Sequence, residues 1–572
     1  MMKRILTIVS LFLALAPLRA QNATVEVSRP YDVNLDGIQK PVIPISIDDS
    51  LHRFDVHFDY SIFNRPYSDL YDFTPYETIQ LATVGANRTP FVYGRFGARY
   101  VPGDRGVLPA AELYLQTKPK KGFCSGLYAR HNSYFGDLGR SYGIDPVLQA
   151  ARMQNTLGGD LTYDWATGEL MFDVKYDYDQ YHYKTPDPWE SSLHHNNSLT
   201  AAFNLNSAQK EENTVYYDVT MSYRNTRKSF VWDDSYLDPD TTRLTEGFVK
   251  VYGYVGATFE KHRVYVNMNI EYATYKGVHD FNIGVVEFSP IYQISHKRLN
   301  AKLGVKFGSR YGIVGEIPEP GLDLSARSSI FPDVDIRYTL IDKALWAHAV
   351  VTGGNDLNPY SRMIDDCPIV LPTSTMGFGS RPLDATLTIE SVISGRLGIE
   401  LETNYKMYRN KMIFNPVYYG ENITQMMADY RNVNQFSMQA QLIWRSQDVT
   451  VGGRFRYASY QNASDKSVVT EMPKYTGDAF VRYNFRERLI AQLECNYRSA
   501  TSGDIMRFDG ESSGQRYAVP PILDVDLNVN FLINKYISVF GKVGNLLNQR
   551  NEYMPLYVEP GRNYGVGVSV TF

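Results

Sequence analysis

The chain has 572 residues, a formal charge of −4, 44% hydrophobic residues and negative mean hydropathy. That polarity excludes a bundle of membrane-spanning helices, and the charge balance offers no basic excess for nucleic acid. Cys124, Cys367 and Cys495 are scattered and odd in number, so no disulfide framework is implied.

Lys3 and Arg4 precede an apolar run from Ile5 to Ala16, followed by Pro17, Leu18, Arg19 and Ala20. This pattern predicts a signal peptide over residues 1–20, too short to span as a helix. Losing Lys3, Arg4 and Arg19 takes the charge from −4 to about −7. No Cys sits at the cut, so a lipid anchor is not expected. Residues 21–90 follow as a Pro-rich periplasmic segment, with Pro30, Pro41, Pro44, Pro66, Pro75 and Pro90.

From about residue 92 one theme repeats: a period-2 segment, a connection, another period-2 segment. Segments are predicted near 92–101, 108–117, 122–133, 157–165, 168–184, 195–206, 213–225, 247–259, 262–275, 281–294 and 298–308. They continue near 327–338, 343–354, 385–394, 397–413, 433–445, 449–460, 474–485, 489–500, 520–533, 536–546 and 563–572. In one, Leu523, Val525, Leu527, Val529 and Phe531 alternate with Asp524, Asp526, Asn528 and Asn530. Two acids and two amides on the buried face of a soluble sandwich would be ruinous, whereas a water-filled lumen tolerates them.

The connections alternate in length. Tight ones such as Ala166-Thr-Gly168, Gly395-Arg396 and Asn534-Lys535 interleave with long ones such as 134–156, 226–246, 355–384, 414–432, 501–519 and 547–562. The expected fold is an all-β transmembrane antiparallel barrel of about 22 strands over residues 91–572, with short periplasmic turns and long outer loops. Parity puts both termini in the periplasm. Heavy Tyr use, 44 residues, suits aromatic girdles at the two headgroup levels. At the end, Tyr564, Val566, Val568, Val570 and Phe572 share one face, opposite Gly565, Gly567, Ser569 and Thr571. A strand that is apolar outside, small or polar inside, and ends in Phe reads as the closing strand that barrel assembly machinery recognises.

Around Val539 a family resemblance emerges. Gly544-Asn545-Leu546-Leu547-Asn548, then Tyr557, then Pro560-Gly561-Arg562 and the strand to Phe572 resemble the end of TonB-dependent receptor barrels. Asn548 can adopt a left-handed conformation where the strand ends, and Gly561 frees the backbone to re-enter. The resemblance implies an integral outer-membrane protein, lipopolysaccharide side outward, that takes up a solute. It also implies a plug inside the barrel, yet residues 21–90 are too few and lack a βαβ-like pattern. They are a reduced plug at most. Ala23-Thr-Val-Glu-Val27 reads as a short TonB-pairing motif, or as a pentapeptide any exported β protein could carry. A barrel without its plug is open, or is filled by residues 21–90, by its outer loops or by a partner.

Other constellations carry little chemistry. Gly510-Glu-Ser512-Ser-Gly514 matches a nucleophile motif but lacks a strand-to-helix elbow, and Gly377-Phe-Gly379 lacks a βαβ context. Asp233, Asp234, Asp238 and Asp240 crowd one outer loop and are weak Ca²⁺ candidates; Asp365 and Asp366 sit in another. No EF-hand spacing is present, and solvated acidic loops are common. His194 and His195 point to opposite faces of a strand and would not share one ion. Trp189, Trp232, Tyr236, Tyr360, Tyr418 and Tyr419 could form a ligand surface, although girdle tyrosines are the simpler account. No enzyme, cofactor or firm metal site is expected. The leading function is solute uptake. The alternatives are a passive porin, or a scaffold barrel that docks an envelope partner through its lumen or residues 21–90.

Overall fold

The computed structural model describes residues 91–572, except 139–147, 185–191, 208–214, 233–242, 314–326 and several stretches of one to four residues. The expectations for residues 1–20 and 21–90 lie outside the described residues. So do Trp189, Tyr236, the four loop aspartates Asp233 to Asp240, and the side chains of Trp232, Tyr418 and Tyr419.

The strands are β1 (Phe91–Val101), β2 (Gly106–Gln116), β3 (Phe123–Leu138), β4 (Leu148–Trp165), β5 (Gly168–Lys184), β6 (Ser192–Ser207), β7 (Val215–Trp232), β8 (Arg243–Phe259) and β9 (His262–Gly277). There follow β10 (Asn282–His296), β11 (Leu299–Ile313), β12 (Arg327–Ile341), β13 (Leu345–Asn358), β14 (Gly377–Ile393), β15 (Leu397–Tyr419), β16 (Asn422–Arg445) and β17 (Val449–Asn462). The last are β18 (Tyr475–Phe485), β19 (Leu489–Arg498), β20 (Thr501–Arg507), β21 (Ser512–Val519), β22 (Ile522–Leu532), β23 (Ile537–Gly544), β24 (Glu552–Met554), β25 (Tyr557–Val558) and β26 (Asn563–Thr571).

Twenty-two of these form one closed antiparallel barrel: β1 to β19, then β22, β23 and β26, which pairs back onto β1. All 22 correspond to predicted segments. Period 2 holds because one face meets lipid and the other meets the lumen. On β9, Val264 and Val266 stand 48% and 39% exposed, while Ala273 and Tyr275 on the opposite face are buried. Large exposed apolar side chains recur this way on nearly every barrel strand. A belt of that extent has no place on a soluble monomer and is a lipid face.

Inward side chains pair across neighbouring strands: Lys302 with Asp335 at 2.8 Å, Arg454 with Asp478 at 2.7 Å, and Lys542 with Asp526 at 2.7 Å. Aromatic side chains mark two levels. At the short-turn rim Phe123 stacks on Tyr163, and Tyr536 on Phe572. Farther up, Tyr272 stacks on Tyr311, and Tyr457 lies against Tyr475. Both chain ends of the barrel sit at the short-turn rim, where Val92 and Phe572 exchange two backbone hydrogen bonds of 2.9 Å.

The long connections hold more structure than expected. The predicted loop 414–432 is mostly strand, since β15 and β16 run on as one hairpin. Asn410 takes a positive φ of 53° at a register shift between Tyr408 and Lys411, which breaks the alternation without ending the strand. The predicted loop 501–519 contains the β20–β21 hairpin, whose first strand pairs in parallel with the end of β15.

Candidate functional site at the barrel mouth

The mouth is the rim opposite the short turns. Among the described residues its main occupant is the β13–β14 connection, residues 359–376, which turns inward onto the lumen-facing side chains of β6 to β8. It carries the one helix among the described residues, α1 (Tyr360–Asp366).

One side of this connection is fixed to β6, β7 and β8. The Glu246 carboxylate accepts hydrogen bonds from the backbone N–H groups of Tyr360 and Ser361, the second at 3.0 Å. Arg224 forms a two-pronged ion pair with Asp365, at 2.6 and 2.8 Å. Asn196 and Lys228 both donate to the Pro368 carbonyl, at 3.2 and 2.9 Å.

The other side docks on β16 through an isolated parallel bridge, Val370 to Met426. Leu371 N donates to Met426 O, and Met426 N donates to Ile369 O. The Tyr430 hydroxyl donates to the Thr375 carbonyl at 2.9 Å. β6 and β16 are ten strands apart in a ring of twenty-two, and the connection joins the β6–β8 wall to the part of β16 that extends beyond its pairing with β17.

Between these anchors lies a continuous apolar core. Met363, Ile364, Ile369, Val370, Met376 and Phe378 pack with Leu244, Ala273 and Ile283 from β8 to β10, and with Phe414, Met426 and Ala428 from β15 and β16. Ile505, Tyr517 and Val519 of the β20–β21 hairpin join it, as do Val101 and Leu108 at the seam. Of the fillings the sequence left open, the outer loops supply this one. An apolar core in the mouth of a polar lumen excludes water and ions from that path.

A second inward strap comes from the β23–β26 connection. Asn545 (φ 49°) and Asn548 (φ 53°) are both left-handed. The Asn545 side chain donates to the Gln549 and Pro560 carbonyls and accepts from Gln549 N, and Asn545 N donates to Asp526. Asn548 Oδ1 accepts from Arg562 N, and Gly561 N donates to Asp104 in the β1–β2 turn. Leu546 N donates to the Val525 carbonyl, while the Leu547 side chain is exposed. The motif residues thus fold the last loop back across the closure seam, where Arg152 of β4 donates to the Val558 carbonyl at 2.9 Å.

Glu559 lies in this strap. Burial pushes its carboxyl up to about 7, aided by Asp524 and Asp526 and opposed by Arg152 and Arg99. A carboxyl that holds its proton to higher pH when folded favours the folded loop at low pH. The strap is therefore expected to loosen as pH rises from about 4.5, the ordinary value, through about 7. Hydrogen exchange of residues 545–562 at pH 5 and pH 8 checks this, and Glu559→Gln should reduce the difference.

The remaining sequence candidates separate. His194 is buried in the wall facing the lumen, while His195 faces outward toward the Tyr178 hydroxyl at 3.2 Å, so the two diverge as expected. Ser512 opens β21, with no helix after it. Gly377 and Gly379 lie in β14. Asp365 is held by Arg224, and Asp366 is 4.0 Å from Arg362. No group of three metal-ligating side chains occurs among the described residues. Tyr360 is fully buried in the mouth core and presents no ligand surface. Glu246, Arg224 and Met426 escaped the sequence reading. The available signal was the run of apolar residues inside a predicted outer loop.

No protein-family model matches the chain, and no curated protein does. Solved structures do. The siderophore receptor PirA from Acinetobacter baumannii matches with a TM-score of 0.64 at 12% identity, covering 85% of this chain and 81% of that one. The ferric enterobactin receptor PfeA from Pseudomonas aeruginosa, in a mutant form, gives 0.63 at 11%, with the same coverage. The FrpB iron transporter from Neisseria meningitidis gives 0.61 at 9%, covering 85% and 82%. The barrel has the fold of these outer-membrane receptors, which is the fold the carboxyl-terminal motif resembled.

Proposed function

We propose that this chain is an outer-membrane uptake barrel of the receptor type, which admits solute only when its mouth opens. The observation that carries the reading is the apolar core across the mouth, which joins β8 to β10, the β15–β16 hairpin and the β1–β2 seam. A passive porin needs a standing aqueous path, and this core runs against one. The receptor fold supports the same class. In this reading residues 1–20 are a signal peptide, both termini face the periplasm, and residues 21–90 are a reduced plug or handle reaching TonB.

The test is single-channel conductance of the refolded protein in a planar bilayer, with and without residues 21–90. Both forms are expected to carry little current, because the mouth core is retained in each. Large steady currents in the intact protein would overturn the reading in favour of a porin.

The closing strand, with Tyr564, Val566, Val568, Val570 and Phe572 outward, is proposed as the segment that barrel assembly machinery reads. Deleting Phe572 removes its backbone exchange with Val92 and its stacking on Tyr536. Surface levels of that truncation are expected to fall several-fold. Normal levels on intact cells would count against the assignment.

A further inference from the structure

The barrel closes where its strands are shortest. β23 and β26 have 8 and 9 residues, and β26 pairs with β1 to complete the ring. β22 and β23 share six residue pairs, the fewest of any neighbours in the ring among the described residues. Backbone hydrogen bonds alone therefore hold this sector less firmly than the long hairpins elsewhere.

One aromatic ring spans the sector on the lumen side. Phe540 of β23 stands opposite Gly567 of β26, and Gly567 stands opposite Gly97 of β1. A Cβ at Gly567 would strike the Phe540 ring, and one at Gly97 would come within 2.8 Å of it. The ring thus lies across both glycines. Arg95 of β1 closes over it, with the guanidinium carbon 4.1 Å from the ring centroid. Phe540 is the one aromatic side chain on this face of β23 and β26, among Ser538, Lys542, Gly565 and Ser569. Elsewhere a ring covers a glycine on the adjoining strand, as Tyr128 covers Gly158 and Phe480 covers Gly452. Phe540 reaches past the adjoining strand to the next one, which lies on the far side of the closure.

We infer that Phe540 is the latch of the closed barrel: seated on Gly567 and Gly97 and capped by Arg95, it holds the last strand to the first. Neighbouring strands lie about 4.8 Å apart, so a ring reaches the second strand only where no Cβ stands in its way. Glycine at both positions of the row provides that clearance. The contacts to Gly97 and Arg95 exist only once β26 has met β1. A latch of this kind resists reopening and contributes little to the strand pairing that precedes closure.

The test follows unfolding in urea and refolding of the full chain in vesicles, both read by the gel shift of the folded barrel. Phe540→Ala should unfold about tenfold faster and refold within about twofold of the parent rate. Phe540→Leu, which keeps apolar bulk without a ring, should show the same pattern at a smaller size. Gly97→Ala should also speed unfolding, because its Cβ displaces the ring. In the Phe540→Ala background it should add less than about twofold. Gly97 is the position for this cycle because a Cβ at Gly567 would also press on the Phe96 carbonyl. The register partners Ala98 and Val566 then carry Ala98→Cys and Val566→Cys, in a chain whose native cysteines are changed to Ala. In molecules bridged across the seam, separated by gel mobility, Phe540→Ala should no longer speed unfolding. An unchanged unfolding rate in Phe540→Ala would overturn the latch. So would additive effects of Phe540→Ala and Gly97→Ala, or a full effect of Phe540→Ala in the bridged molecules.

Discussion

Replacing residues 361–375 with a short glycine-serine linker is expected to turn a closed barrel into a steady conductor. The linker removes Met363, Ile364, Ile369 and Val370 from the mouth core, together with the two backbone hydrogen bonds at Met426. Each buried apolar side chain of this size contributes about 1.5–3 kcal/mol, so together they dominate the closure. Single anchors rank below them. Arg224→Ala breaks an ion pair whose Asp365 side chain is 56% exposed, and such pairs are worth under about 1 kcal/mol. Glu246→Ala should do more, because it orphans two buried N–H groups at about 1–3 kcal/mol each. The expected order of current is linker variant, then Glu246→Ala, then Arg224→Ala near the native level. The linker variant is measured both with and without residues 21–90, so that a lower filling cannot mask the mouth. Silence in both forms, with the barrel still folded by gel shift, would sink the gate.

The barrel was legible because the membrane imposes its own periodicity on the chain. Leu523 to Phe531 alternate with acids and amides, and lipid on one side with water on the other is the arrangement that allows it. Loop parity was legible for a related reason: turns at one rim only reverse the chain, while loops at the other rim are free to grow. The mouth was not legible. Residues 359–376 have neither period, and their hydrophobic side chains find a core only because β8 to β10 and β15 to β16 supply the rest from about 40 to 130 positions away. The segment predicted over 397–413 stops short of Pro416, a residue disfavoured inside a strand, yet β15 continues past its bulge to Tyr419. The carboxyl-terminal motif was legible as a pattern, but its mechanics were not. Asn545 acts through carbonyls at Gln549 and Pro560, and Gly561 through Asp104, more than 450 residues away.

Leu527→Arg is expected to cost about 2–4 kcal/mol of barrel stability, while Asn528→Leu, one residue along, should insert normally. The pair is informative because the two side chains share one strand and differ only in the face they occupy. On β22 the outward positions are Leu523, Val525, Leu527, Val529 and Phe531, and Leu527 is the middle one, the greatest distance from either headgroup level. Its register partners, Leu493 on β19 and Val543 on β23, are also apolar, so an arginine there finds no counter-ion. Val525, one outward position nearer the mouth, should cost less when changed to Arg, because the side chain can reach the interface. Asn528 stands in the opposite row, beside Gln492 and Lys542. That row also holds Asp526, whose carboxylate pairs with Lys542 across the lumen wall. A leucine in such a row removes one amide from a solvated surface and leaves the hydrogen-bonded ladder intact. Urea unfolding in vesicles, followed by the gel shift of the folded barrel, reads both changes on one scale. Equal tolerance of Leu527→Arg and Asn528→Leu would mean the two rows are not divided between lipid and water, and a membrane barrel could not then be built from this strand.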